Sequence, residues 1–389
     1  MRKKRSFSLA IILLATPLLF GVAVLNVLVS FRWQHQQHQD DHNYATPRVP
    51  IPPSSSLLSS SSLLVGEYPA STTNNSTMRM LYRQLPLPTL TRSDQQHDLV
   101  CPQGLQFRSD RTKNTNKGPS KEQSFVNNRK IPRIVHQTSK SRCLSSSVFA
   151  LTEKWHFDGW EYYMHDDKAI ERLFIQEAVY FPLLPLISQH CLIHGTLRAD
   201  LWRYLVLWVY GGVYSDLDTA PNAFAPETTI GPDDDALFVV EQFHLLSQYF
   251  MAVSPRHPLM WYAVQRSLQN LWDLPDTGEV SAAMITGPHA LHWAYRDFRA
   301  DANQIVDPAT PGYKPVWAGH FEGSLNYTVT VIGVGENQNE YVYRDLLGAQ
   351  KKQAAYKQMH MRHFQQDKKF PTGRSCLSTI LEESYKAAT

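Results

Sequence analysis

From residue 131 onward, apolar and polar positions fall into short blocks of two periods. Ile131-Pro132-Arg133-Ile134-Val135-His136-Gln137-Thr138 reads as a short buried strand running into a polar turn. Residues 160–164 alternate as a second strand, stop at His165-Asp166-Asp167, and give way to helical spacing over about 168–179. The spacing of Leu197, Leu201, Tyr204, Leu205 and Trp208 predicts a helix with Thr196 as N-cap. Gly211-Gly212 should stop it, because a glycine just past a helix enters the left-handed region without a Cβ penalty. Val213-Tyr214-Ser215 then starts a strand that ends on an acidic pair, and further strands are expected at 236–240, 249–253 and 327–332. Helices alternating with short apolar strands define an α/β sheet domain. No long-period repeat is visible.

Upstream the pattern is different. Arg2-Lys3-Lys4-Arg5 precedes an apolar run over 7–31 with no charge between Arg5 and Arg32. That length spans a bilayer as one helix and is longer than the roughly 7–15 apolar residues usual in a cleaved signal, which is the alternative to a retained anchor. With the basic cluster cytoplasmic, the bulk of the chain is expected in the lumen, as in a single-pass type II protein. Residues 32–130 are rich in Gln, His, Ser, Asn, Thr and Pro without periodicity, and are read as a disordered, flexible stem. The expected organisation is thus a cytoplasmic tail at 1–6, a transmembrane signal-anchor at 7–31, a lumenal stem at 32–130 and a catalytic domain at 131–389. Sequons at Asn74, Asn75 and Asn326 are compatible with that placement.

Composition narrows the picture little. In 389 residues, 43% hydrophobic and 19% charged describe an ordinary globular chain, and a net charge of +3 offers no basic surface for nucleic acid. Cys101, Cys143, Cys191 and Cys376 form no Cys-x-x-Cys pair, which argues against zinc-ribbon or thioredoxin-like chemistry. In a lumenal protein they permit two disulfides, in any of three connectivities. The sequence leaves the oligomeric state open.

The chemistry concentrates at Asp216-Leu217-Asp218. On an extended segment, side chains at i and i+2 point the same way. Two same-side carboxylates are hard oxygen ligands for Mg2+ or Mn2+, with water and phosphates completing the shell. A bare Asp-x-Asp is more often a solvated turn. The surrounding string, from Arg198-Ala199-Asp200-Leu201-Trp202-Arg203 through Gly211-Gly212-Val213-Tyr214-Ser215, is what lifts it above that.

This string, together with 131–138 and Thr286-Gly287-Pro288, resembles glycosyltransferase family 32, which carries a DXD sugar-binding segment and includes α-1,6-mannosyltransferases. The resemblance implies a GT-A-type, Rossmann-like nucleotide-sugar domain, a divalent cation (Mn2+ or Mg2+), and a nucleotide-sugar donor, GDP-mannose favoured over a UDP-sugar. It also implies transfer of a hexose, with retention of configuration, to a glycan or glycolipid acceptor in the Golgi. Carried over position by position, Val135 and His136 lie near the nucleoside, while Asp200 and Arg203 contact donor sugar and phosphates. Arg198 and Tyr214 line the donor pocket. Asp216 sits near ribose and metal, and Asp218 ligates the metal. Asp216, Asp218 and Arg203 are the expected catalytic groups. A late histidine, His360 or His363, would complete the metal shell, although Gln365-Gln366-Asp367-Lys368 departs from the family's Gly-Ser-Trp-like stretch there. Glu241 and Gln248 are further polar candidates. Two other classes compete: a catalytically inactive glycan-binding membrane protein of the same fold, and a haloacid-dehalogenase-type phosphatase, for which Thr219 falls one place early.

Overall fold

The structure is a computed structural model that describes residues 100–111, 129–181, 183–190, 195–241, 244–272, 281–300, 316–333, 341–344 and 347–361. The chain divides into two compact units, and the described residues all belong to the one comprising Thr73–Ala309 and Lys314–Thr389. The apolar run 7–31, the sequons at Asn74 and Asn75, and Cys191, Cys376 and His363 lie outside the described residues. Among the described residues no helix is long and apolar enough to cross a membrane.

The strands in chain order are β1 (Leu105–Phe107), β2 (Ile134–Thr138), β3 (Cys143–Ser145), β4 (Glu161–His165), β5 (Gly212–Ser215), β6 (Ala220–Pro221), β7 (Ala236–Glu241), β8 (Leu245–Val253), β9 (Gly319–Glu322), β10 (Thr328–Ile332) and β11 (Val342–Tyr343). Seven of them form one sheet in the order β4-β2-β5-β8-β7-β10-β9. β4, β2 and β5 are parallel, β8 runs against β5 and β7, and β10 is parallel to β7. The chain leaves β2 to form β4 on one side and returns to form β5 on the other. A strand order that reverses in this way opens a crevice at the carboxyl ends of β2 and β5, where α/β sheets bind ligands.

Alternation along the strands builds two cores, one on each face of the sheet. Tyr214, Phe238, Val240, Met251 and Val253 pack on one face with the helices Gly195–Tyr210, Pro258–Trp272 and Pro288–Ala300. Val135, Val213, Leu237, Val239 and Ala252 pack on the other, with Val148, Trp155, Trp160 and Phe224. The arrangement is a mixed α/β sheet covered on both sides, as the periodicities predict.

The helix Gly195–Tyr210 is buried nearly all round, from Leu197 to Val209. It begins at Gly195, so Thr196 lies inside its first turn and not at the N-cap. Its stop is as expected. Gly211 has φ +65, its N–H bonds to Leu207 O at 2.9 Å, and a Cβ there would meet Pro255 Cδ at 2.6 Å.

Order also begins earlier than the pattern suggests. Within the segment read as stem, β1 pairs antiparallel with β3, and Cys101 is disulfide-bonded to Cys143. Arg142 anchors the same segment through Asp110, at 2.9 Å with both side chains buried. A polar, aperiodic stretch gives no sign of such pairing because a covalent bond, the ion pairs of Arg142 with Asp110 and Arg108 with Glu153, and the apolar contact of Leu105 with the core hold it, not a periodic apolar face.

Candidate active site

The helix Gly195–Tyr210 and strand β5 deliver the principal groups to the crevice. Arg203 is the hub. Its Nη2 lies 2.9 Å from Asp200 Oδ1, its Nη1 lies 3.2 Å from Asp216 Oδ1 and donates to Gln248 O at 3.0 Å, and its guanidinium sits 4.7 Å from the Tyr214 ring centroid. Tyr214 donates its hydroxyl to Asp216 Oδ1 at 2.6 Å. Thr286 Oγ1 donates to Asp200 Oδ2 at 3.0 Å, and Gln248 Nε2 donates to Tyr204 Oη at 2.8 Å and to Thr286 O at 3.0 Å. The helical i, i+3 spacing of Asp200 and Arg203 is therefore an ion pair, but a buried one continuous with Asp216, unlike an exposed pair of small energetic value.

Charge in this cluster follows from burial. Burial alone would lower the Arg203 pKa, but Tyr214, Asp216 and Asp200 outweigh it and raise the value, so the guanidinium stays charged. Burial pushes Asp200 up to about 6 against the pull of Arg203 and the Thr286 hydrogen bond. Glu241, at the end of β7, is pushed by burial up to about 7, partly offset by Arg344, whose Nη1 lies 3.7 Å away.

The acidic pair itself is not extended. Asp216 follows β5, and Leu217-Asp218 form a turn closed by Thr219 N–H and Thr219 Oγ1, which donate to Asp216 O at 3.3 Å and 2.7 Å. Gln137 Nε2, from the end of β2, donates to the same oxygen at 3.1 Å. The same-side geometry expected for an extended Asp-x-Asp is thereby corrected: the turn sends the two carboxylates to different partners. Asp216 joins Arg203 and Tyr214, whereas Asp218, 5% exposed, is ion-paired with Lys352 of the helix Gly348–Gln358.

Other expected residues fall outside the cluster. The Val135 side chain is fully buried in the core. His136 is fully buried too, its Nε2 3.0 Å from Gly211 O and its Nδ1 3.1 Å from His165 Nε2, so it braces the glycine turn. Arg198 reaches Asp167 O at 3.5 Å. His360 is exposed beyond the helix Gly348–Gln358 with φ 54, and its carbonyl accepts from Lys140 Nζ. Among the described residues, no three His, Cys, Asp or Glu side chains gather as for a metal, so His360 does not join Asp216 and Asp218. A cavity of about 370 Å3 lined by Lys130, Asp235, Ser254 and Tyr327 lies at the opposite end of the sheet, where β7 starts and β8 stops.

Arg344 and Lys352 are the additions that the sequence did not signal. Both come from the segment after β10, where neither periodicity nor a motif marks a cation. Thr286 and Gln248 were in view as motif and candidate, and the structure joins both to Asp200 and Arg203.

These features define an Asp-Arg-Asp system at the carboxyl ends of β2 and β5, with Asp200 and Arg203 buried and Asp216 partly exposed to the crevice. Residues 138–236 match the family model described as "glycosyltransferase sugar-binding region containing DXD motif". That segment, about a quarter of the chain, carries the region the family model describes, and it holds Asp200, Arg203, Tyr214, Asp216 and Asp218. Among curated proteins it is 27% identical over 208 residues to the initiation-specific alpha-1,6-mannosyltransferase of Schizosaccharomyces pombe, covering 48% of this chain and 50% of that protein. It is 26% identical over 145 residues to inositol phosphoceramide mannosyltransferase 1 of the same organism, covering 35% of this chain and 42% of that protein. The chain thus spans half the length of these relatives or less. Among solved structures, a PaToxG glycosyltransferase aligns with TM-score 0.33 and 16% identity over 43% of this chain and 69% of that one, too slight a likeness to carry an argument.

Proposed function

We propose that the protein is a retaining, divalent-cation-dependent glycosyltransferase that moves a hexose, mannose favoured, from a nucleoside diphosphate sugar to a glycan or glycolipid hydroxyl. The observation that carries this reading is the Arg203 hub, which ties Asp200, Asp216 and Tyr214 together at the sheet's switch point within the family-matched segment. The two mannosyltransferase relatives favour mannose and hence GDP-mannose.

The donor set fits a hard cation. Asp218 is an almost fully buried carboxylate that already carries a compact positive charge, the Lys352 ammonium. Asp218 would hold Mn2+ or Mg2+, with water and diphosphate oxygens completing the shell, and the cation would supply Lewis-acid stabilisation to a departing diphosphate. The chain's own residues do the rest. Arg203, permanently charged and held from three sides, offers a preorganised positive charge where negative charge develops. Tyr214 and Gln137 fix Asp216 by its carboxylate and its carbonyl, respectively. Asp200, braced by Thr286 and Arg203, presents a polar edge for donor sugar hydroxyls.

The proposed location is the secretory pathway, as a type II protein of the Golgi membrane anchored through 7–31; the basic-then-apolar N-terminus supports the anchoring and its orientation. The Cys101–Cys143 disulfide supports it, since such bonds persist in oxidising compartments.

The test is a screen of GDP- and UDP-sugars for hydrolysis by the lumenal portion, with and without Mn2+. Cation-dependent release of one sugar, strongest for GDP-mannose, is expected. No cation-dependent release from any donor would contradict the reading.

A further inference from the structure

The ion pair between Lys352 and Asp218 joins a cation to the carboxylate assigned to the metal. It is not a loose surface contact. The Lys352 side chain is 14% exposed and that of Asp218 is 5% exposed. The segment that carries Lys352 is registered to the one that carries Asp218: β11 pairs antiparallel with β6, Val342 opposite Pro221 and Tyr343 opposite Ala220, two to three residues past Asp218. Beyond Lys352, the helix Gly348–Gln358 is seated by buried Ala355 and Met359, by Gln358 Nε2 donating to Gly104 O at 3.0 Å, and by Lys140 Nζ donating to His360 O at 3.1 Å. The ammonium also lies 5.9 Å from the Tyr356 ring centroid.

A buried carboxylate without a counter-charge is costly, so a site that waits for a metal must satisfy its aspartate in the interval. We propose that Lys352 is the resident counter-ion of Asp218, which a divalent cation must displace, and that the released ammonium passes to the diphosphate of the arriving nucleotide. The inference rests on the proposed function, because it takes Asp218 as the metal carboxylate. The charges require the handover. An ammonium and a divalent cation on one carboxylate repel strongly at this burial, unless an anion accepts one of them. Cation and nucleoside diphosphate therefore bind cooperatively, each favouring the state in which Lys352 has left Asp218. The side chain has the reach for this, since lysine is a flexible point charge with rotatable donors.

The experiment is a titration of the protein with Mn2+ alone, read from the electron paramagnetic resonance signal of free Mn2+. Wild type, Lys352→Met, Lys352→Gln and Lys352→Arg are compared, each checked by thermal melting. GDP binding at fixed Mn2+ is measured on the same proteins. Removing the ammonium should tighten Mn2+ binding about tenfold or more in both neutral variants while weakening GDP binding. Lys352→Arg, which keeps the charge, should stay near wild type. Unchanged or weaker Mn2+ binding in the neutral variants overturns the counter-ion role and leaves Asp218 standing as a metal ligand. Absence of Mn2+ binding in all four proteins overturns both.

Discussion

Arg203 carries more of the site than any other residue. It touches Asp200, Asp216, Gln248 O and the Tyr214 ring at once, and its planar fork makes those contacts from fixed directions. Arg203→Lys keeps the charge and loses the fork. It is expected to lower donor turnover by about 100-fold, because a preorganised N–H donor aimed at a developing anion is worth about that much and the lysine loses the donors that the fork holds in place. Steady-state hydrolysis of the preferred donor checks this, and a rate within a few-fold of wild type would remove Arg203 from the centre of the account. The cluster was partly legible in the sequence. Asp200, Arg203, Tyr214 and Asp216 sit on one periodic helix and the strand after it, so local pattern brings them together. Lys352 and Arg344 arrive from more than a hundred residues away, and only the packing of the sheet shows where they land.

Elements set the direction in which these residues face. The turn at Gly211-Gly212 carries the chain from a buried helix into β5, and Gly211 needs both its positive φ and its missing Cβ. Gly211→Ala is expected to destabilise the fold by about 3 kcal/mol, from strain plus a clash with Pro255, measured by chemical denaturation. A loss below about 1 kcal/mol would show that the turn adapts. The helix, its glycine stop and the major strands were readable because each is announced by a period and a breaker. The first turn of the helix was not, since Gly195 begins it ahead of Thr196. The turn that separates Asp216 from Asp218 was also missed. It depends on bonds from Thr219 and Gln137, one local and one from another strand.

For the whole unit, titration of buried groups sets how stability varies with pH. Burial holds His136, His257 and His292 at about 4, against 6.5 unfolded. Between pH 4 and 6.5 unfolding therefore takes up protons at these sites, and stability rises with pH across that window. Asp200 and Glu241, raised to about 6 and about 7, act in the opposite sense: the folded state holds their protons longer, and stability falls as pH rises through those values. Burial lowers His156 and His165 in the same way and raises Asp167 and Glu177, so five histidines act against four carboxylates; the melting temperature should climb from pH 4 to 6.5, and His136→Gln should flatten the slope. A flat or falling profile in wild type would contradict this balance. The same unit is tied at its start by the Cys101–Cys143 bond across a sequence separation of 42. Closing a loop of that length stabilises by about 4 kcal/mol in the chain-entropy model, which explains how a polar segment without an apolar period is held in place.

The proposed function rests most heavily on Asp218, the residue through which a cation would serve sugar transfer. The most direct measurement is the rate of donor hydrolysis at saturating Mn2+ for wild type and Asp218→Asn, with thermal melting to confirm that the variant folds. The account predicts a folded variant whose turnover falls by about 1,000-fold. A folded Asp218→Asn protein that keeps near-normal, Mn2+-dependent turnover would contradict it.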